Sequence, residues 1–124
     1  MKRTFLLFLA ILVLTAMPAS ALDQAREAKI VGYEKSDFVT GKVYLSSGLE
    51  TVYILGLTSV YDHPLEIYLA KGFAQDGSLM VGQVLPGPHE QVSFAAPEGT
   101  GEEMDTVLIM VPGWSVPVAV GLLQ

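Results

Sequence analysis

The sequence predicts an all-β protein, an antiparallel β-sandwich of about eight strands that follows a cleaved signal peptide. Beyond the N-terminal apolar run, no stretch of the 124 residues has the apolar spacing of a helix of three or more turns. Short apolar or alternating runs recur instead at intervals of roughly 8 to 15 residues, with Gly, Pro, Asp and Ser between them. Short strands separated by turn residues, without helices between them, are typical of a sandwich or barrel.

The N-terminal segment has the three parts of a secretory signal peptide. Residues 2–3 are basic, an apolar run covers 5–14, and Ala-Ser-Ala at 19–21 is a small-residue cleavage motif. We therefore expect cleavage between Ala21 and Leu22. The alternative is an uncleaved membrane anchor, but only roughly 13 residues precede the proline that ends the run, whereas a spanning helix needs about 20.

The expected mature chain is one acidic domain. A signal peptide at 1–21 and a polar leader at 22–29 precede a β-sandwich domain at 30–124. Cysteine is absent, so the domain folds without disulfides. Loss of the two basic signal residues leaves 5 basic and 13 acidic residues, a net charge of −8. Such a surface repels nucleic acid and anionic lipid, so neither is an expected partner. The signal-peptide pattern predicts that the protein is secreted or periplasmic.

Turn residues define the individual strands. In chain order the predicted strands are KIVGY (29–33), GKVYL (41–45), ETVYILGL (50–57), LEIYLA (65–70), LMVGQVL (79–85), EQVSFAA (90–96), TVLIMV (106–111) and SVPVAVGLL (115–123). The second and third form a hairpin around Ser-Ser-Gly. The third and seventh are apolar on both faces and should be central. Pro117 cannot donate a ladder hydrogen bond, so the last strand is expected to be, or to begin at, an edge.

The order of these segments resembles the DM-thirteen family over residues 30–123. The resemblance is carried by SDFVTGKVYL, ETVYILGL, HPLEIYLA, MVGQVL, EQVSFAAPEG and DTVLIMVPGWSVPVAVGLL. It implies a small secreted or membrane-attached β-sandwich with a proposed electron-transfer role. The C-terminal domain of anti-sigma-K factors is also similar, through PLEIYLA and a following strand with Val-Gly. That family normally has a cytoplasmic segment and a full membrane span before the domain, features that this sequence lacks.

A redox role conflicts with one departure from the family pattern. The penultimate strand in that family ends before a cysteine, and this position falls on Val111 or Met110 here. Valine has no redox chemistry, and a lone methionine ligates a metal only with partners. The other soft or borderline ligands, His63 and His89 among them, lack the close His/Met spacing of a copper carrier. We therefore expect no cofactor and place Met110 in the core.

Hard-cation and catalytic sites are not expected either. The segment 98–105 holds four carboxylates, but it lacks EF-hand spacing and reads as a solvated acidic loop. The segment Gly113-Trp-Ser115-Val-Pro117 is similar to the Gly-x-Ser-x-Gly motif of a nucleophile elbow, which requires a helix after the serine. A valine-rich strand follows instead. The protein is thus predicted not to be an enzyme.

Aromatic side chains are the remaining candidates for a function. Tyr44 and Tyr68 lie out of phase with the apolar faces of their strands, and Trp114 follows a Pro-Gly turn. Such side chains either pack across strands or bind a glycan or protein partner. We assign Tyr44, Tyr68 and Trp114 as a candidate partner surface. The predicted function is an exported, non-catalytic binding module, and the alternative is an extracytoplasmic redox or copper-handling protein.

The cleavage motif leads to a first test. N-terminal sequencing of the exported protein is expected to read from Leu22, because signal peptidase cuts after the small residue of the motif. Exported material that starts at Met1 would contradict the assignment of residues 1–21 as a signal peptide.

Overall fold

The chain forms eight β-strands in a computed structural model that describes residues 25–73 and 75–124. The strands are β1 Arg26–Gly32, β2 Val39–Leu45, β3 Thr51–Ser59, β4 Leu65–Ala70, β5 Leu79–Val84, β6 His89–Ala95, β7 Thr106–Met110 and β8 Ala119–Leu122. Within the described residues the helical content is one 3₁₀ turn at Tyr33–Lys35. The predicted signal peptide and its cleavage point between Ala21 and Leu22 lie outside the described residues.

The eight strands form one nearly closed antiparallel sheet in the order β5-β4-β7-β8-β1-β2-β3-β6. The all-β prediction is confirmed, although the two halves of the expected sandwich are continuous and the architecture is barrel-like. The halves are joined by β1, which pairs with β2 through Arg26–Ile30 and with β8 through Val31 and Gly32. The edge strands β5 and β6 meet at Gly82, where an added Cβ would lie 2.5 Å from the Phe94 ring.

The first strand is longer than predicted. It begins at Arg26 rather than at position 29, because residues 26–29 of the predicted leader pair with β2. Their polar character reflects alternation rather than disorder. Ala28 is fully buried, whereas Glu27 and Lys29 face solvent. When one face of a strand is exposed to solvent, a segment of only four residues contains too few buried positions to show the alternation.

The interior is filled by inward-facing aliphatic side chains from most of the strands. Alternate residues of β2, β3 and β4 contribute the centre of this core, and Val107 and Ile109 of β7 join them. The largest fully buried side chains include Leu45, Ile54 and Ile67. The period of two in these strands is therefore the signal that located the core.

The predicted hairpin is confirmed. β2 and β3 pair in register from Val39↔Ser59 to Leu45↔Val52, with a bulge beside Gly41. The turn between them is closed by the Ser46 hydroxyl, which accepts hydrogen bonds of 3.0 Å from the backbone N–H groups of Glu50 and Thr51.

The strands β3 and β7 are central, as predicted, but the edge assignment of the last strand is wrong. β8 lies between β7 and β1, and it begins at Ala119, two residues after Pro117. Pro117 therefore lies in the β7–β8 loop, where no ladder hydrogen bond is required of it. The open edges belong to β5 and β6.

The two ends of the barrel differ in chemistry. Since all pairs are antiparallel, the loops 33–38, 60–64, 85–88 and 111–118 leave the strands at one end, which we name the apolar end. These loops hold six of the ten exposed large hydrophobic residues among the described residues: Tyr33, Phe38, Val60, Leu85, Trp114 and Val116. The loops at the opposite, acidic end carry Glu50, Asp76, Glu98, Glu102, Glu103 and Asp105.

The acidic end is organised by hydrogen bonds to Arg26. Its guanidinium donates to the carbonyl oxygens of Glu102 (3.2 Å), Met104 (2.7 Å) and Leu123 (3.3 Å). These bonds tie β1 to the loop before β7 and to the C-terminal residues. Arg26 is thus the cation that joins three separate chain segments.

Asp105 is a structural member of the same corner. Its Oδ1 accepts hydrogen bonds from the backbone N–H of Gly72 (2.8 Å) and the hydroxyl of Thr106 (2.9 Å). The Gly72 bond, followed by the Thr106 bond, holds the pKa of Asp105 below its ordinary value. The acidic segment that the sequence shows at 98–105 is therefore partly a hydrogen-bonded corner.

The Arg26 corner can be tested by substitution. We expect Arg26→Ala to lower the free energy of unfolding by about 1–3 kcal/mol, because three carbonyl groups lose a charged donor. Arg26→Lys should recover only part of the loss, since one ammonium does not reproduce the planar fork. Urea denaturation measures both, with Lys71→Ala as an exposed control at the same end. An Arg26→Ala midpoint equal to the parent's would contradict the clamp.

Candidate functional site

The outer face of one half of the barrel is apolar. Directly paired positions on β1, β8, β7, β4 and β5 place five outward residues in one row across the strands: Val31, Val120, Leu108, Tyr68 and Met80. Outward positions of a barrel normally face water and carry polar side chains. A continuous apolar row on this face therefore requires either a cover or a partner.

Part of this row is covered by two loops. Leu108 and Met110 alternate with the inward Val107 and Ile109 and lie outside the core cluster, yet both are buried. The β4–β5 and β7–β8 loops approach each other above them. The Gln75 side-chain amide donates a 2.8 Å hydrogen bond to the Ser115 carbonyl oxygen and joins the two loops.

A shallow depression of about 340 Å³ remains between the loops and the sheet. It is lined by Glu66, Tyr68, Gln75, Ser78, Leu108, Met110, Gly113 and Trp114. Aliphatic and thioether groups form its floor, aromatic rings stand on its walls, and a carboxylate and an amide lie at its rim. We name this set the aromatic depression.

Tyr68 has a defined polar partner in the depression. Its hydroxyl donates to Glu66 Oε1 at 3.3 Å, a distance at the long end for such a bond. Burial raises the pKa of Tyr68, and the charge and hydrogen bond of Glu66 raise it further. The phenol therefore stays protonated around neutral pH and is held in place along one wall.

Trp114 also lines the depression and remains accessible. Its ring packs edge to face on Tyr61, with centroids 5.6 Å apart and planes at 86°. Tyr61 packs in turn against the core, so the indole is supported from behind. About 48% of Trp114 is nevertheless exposed. A large ring that is both supported and exposed is suited to contact with a partner.

The structure brings together two of the three aromatic residues proposed from sequence. Tyr68 and Trp114 line the same depression, whereas Tyr44 lies on β2, on the outer face of the other half of the barrel. There it pairs directly with Glu27 of β1 and Tyr53 of β3. Three strands separate β2 from β4 around the sheet, so Tyr44 belongs to a different surface.

Sequence reasoning missed the floor and one rim of the depression. Met110 was expected in the core, and it is buried, with 8% exposed, but on the outer face. Its neighbour Val111 packs inward. Because β7 is apolar on both faces, its sequence does not determine whether Met110 points into the barrel or to the outer face. The pattern does predict that both faces of this strand are covered. No sequence pattern identified the contribution of Gln75.

The other residues weighed as ligands are dispersed. His63 lies exposed in the β3–β4 loop, and His89 begins β6, where its Nε2 lies 2.8 Å from the Leu85 carbonyl oxygen. Across the described ranges, 25–73 and 75–124, no three His, Asp or Glu side chains gather into a group suited to a metal ion. The same ranges contain no helix with the length and apolarity to span a membrane.

Fold and depression together define an all-β, barrel-like domain with an aromatic depression on its outer wall. No family model matches the chain, and neither a curated protein nor a solved structure matches it.

The position of Met110 predicts how its variants behave. We expect Met110→Ala to cost about 2–3 kcal/mol of stability, near the lower end for a buried methionine, because the loops above it can partly collapse. Met110→Leu nearly conserves volume and should cost less than about 1.5 kcal/mol. Thermal melts of both variants beside the parent measure the difference. A Met110→Ala protein that melts with the parent would show that the floor does not depend on this side chain.

Proposed function

We propose that this protein is an exported, non-catalytic binding module of DM-thirteen type, which holds a protein or glycan partner at the aromatic depression. The proposal is supported chiefly by the indole of Trp114, which is half exposed, packs on Tyr61 and lines the same depression as Tyr68, Leu108 and Met110. An aromatic wall at this position offers a large contact area at little cost in conformational entropy. Apolar contact supplies affinity, and a few polar groups at the rim supply orientation.

The polar rim favours recognition over reaction. Glu66 is engaged by the Tyr68 hydroxyl, and the Gln75 amide is engaged by the β7–β8 loop. A catalytic site needs a nucleophile within hydrogen-bond reach of a base that is itself oriented. The depression instead offers one carboxylate, one phenol held protonated, and hydroxyl and amide groups suited to hydrogen bonding. This inventory fits the binding of a sugar face or a peptide segment.

The exported location in this proposal is supported by the signal-peptide pattern of residues 1–21. The resemblance of residues 30–123 to the DM-thirteen family supports the same compartment. An extracytoplasmic binding module with no disulfide must rely on its core alone, and the buried aliphatic cluster provides one.

Site-specific cross-linking tests the proposed surface. A benzophenone side chain in place of Ser115, which is exposed beside the depression, should give a discrete adduct after irradiation of the exported protein in its native envelope or medium. Adding Trp114→Ala should strongly reduce the adduct, because the contact loses its main ring. Enzymatic deglycosylation or proteolysis of the adduct then identifies the partner class.

The matched control places the same benzophenone at Ser47, an exposed serine in the β2–β3 turn at the acidic end. No adduct is expected there. Equal yields at positions 47 and 115, or uncross-linked monomer alone at both, would contradict a binding role for the depression.

A further inference from the structure

Lysine side chains are concentrated around one depression on the other half of the barrel. Lys29, Lys35 and Lys42 line an open cavity of about 510 Å³ formed by β1, the β1–β2 turn, β2 and β3. They are three of the five Lys and Arg residues in the described part of the chain. Arg26, a fourth, is engaged in the corner at the acidic end. An acidic protein thus places most of its available positive charge at one location.

Two of these lysines face each other directly. Lys29 of β1 and Lys42 of β2 are paired positions in the antiparallel ladder, and both alternate outward from buried neighbours. Like charges in directly opposed positions destabilise a sheet. Glu27 relieves Lys42 through a 3.6 Å ion pair, but Lys29 and Lys35 form no ion pair with any residue in 25–73 or 75–124. The arrangement is therefore unfavourable in the free protein.

The turn that carries Lys35 is also strained. Glu34 and Lys35 both adopt left-handed backbone conformations, with φ of 54° and 62°. Consecutive side-chain-bearing residues rarely adopt this conformation, and observed outliers of this kind cluster at functional sites. Ser36, the next residue, lines the same cavity, and its buried Oγ has no hydrogen-bond partner among the described residues.

We infer that this cavity binds a small polyvalent oxyanion, a molecule of sugar size that carries carboxylate or phosphate groups. Ammonium groups from three chain positions supply positive charge, and Leu55 offers an apolar wall. The Thr40 hydroxyl, which is already hydrogen-bonded to Thr58 Oγ1 at 2.7 Å, lies at the same cavity. The volume lies in the range of small-molecule sites. A long polyanion is disfavoured, because the chain as a whole has a net charge of −6.

The acidic neighbours limit the site without cancelling it. Asp37 also lines the cavity, and Glu27 borders it through its ion pair with Lys42. Glu34 lies in the same turn as Lys35 but does not line the cavity, so the lining itself carries three lysines against the single carboxylate of Asp37. This site is separate from the aromatic depression, so the two proposals are tested independently.

Isothermal titration calorimetry at low ionic strength tests the inference with two probes, inorganic pyrophosphate and digalacturonate. One or both should bind with a stoichiometry of one, and added salt should weaken binding. Binding of pyrophosphate alone indicates a phosphate ligand, and binding of digalacturonate alone indicates a sugar acid. Binding of both indicates recognition of oxyanions through charge. The neutral disaccharide lactose should not bind.

Variants link the binding to the lysines. Lys29→Gln should weaken binding by about fivefold or more, corresponding to the loss of one near-surface charge interaction. Lys71→Gln, the matched lysine outside the cavity, should leave binding unchanged. Glu27→Gln should strengthen binding, because it removes a negative charge and releases Lys42 from its ion pair.

A stability measurement separates a ligand site from an ordinary surface cluster. Without ligand, Lys29→Gln should melt at or above the parent's temperature, because the opposed charges are relieved. The bound anion should raise the melting temperature of the parent and not of the variant. Absence of saturable binding by both probes would overturn the inference, as would equal weakening by Lys71→Gln or a Lys29→Gln protein that binds like the parent.

Discussion

The register of β1 is the constraint on which the rest of the barrel depends. This strand gives its first five residues to β2 and its last two to β8, and among the described residues it is the strand whose hydrogen bonds join the two halves. A slip of one residue would turn Ala28 and Ile30 out to solvent and Lys29 into the core. Burial of an unpaired ammonium is costly enough to fix the alignment. The inward faces of both halves are thereby brought to the same interior.

The same alternation decides what appears on the outside. On the β2 side of β1, the outward positions are Lys29, Lys42 and Tyr44, whereas on the β8 side they are Val31, Val120 and Leu108. Lysines therefore concentrate on one half of the barrel wall, and aliphatic side chains concentrate on the other. The apolar half is partly closed by the two loops that meet at the Gln75–Ser115 hydrogen bond. The fixed alternation of inward and outward side chains along β1 therefore gives two surfaces of different chemistry.

Much of this fold can be predicted from the sequence, because most of its strands have a local pattern of alternating apolar residues bounded by turn residues. The period of two in LEIYLA and the Ser-Ser-Gly turn predict β4 and the β2–β3 hairpin, and all eight predicted strands correspond to observed ones. The position of β8 was not predictable in the same way. Pro117 suggests an edge, but the ladder begins beyond it, and the neighbours of a strand depend on contacts distant in sequence.

The candidate site was predictable only in part, for the same reason. Tyr68 and Trp114 are 46 positions apart and line one depression because β4 pairs with β7. Tyr44 has the same local pattern, but three strands lie between its strand and β4. Period and propensity determine which face a side chain occupies within its strand. The assembly of faces into a site is determined by strand order, which no local pattern in this chain encodes.

The backbone N–H and C=O groups of Glu27 and Gln124 form two reciprocal hydrogen bonds. These bonds hold the start of β1 beside the residues that follow β8, at the acidic end. Any tether joined to the barrel at either extremity, whether a lipid-embedded segment or a neighbouring module, would leave from that one pole. The carboxylates would then face the support to which the barrel is fixed. The opposite pole, where Tyr33, Phe38 and Leu85 are exposed on the loops, would then lie one strand length away from that support.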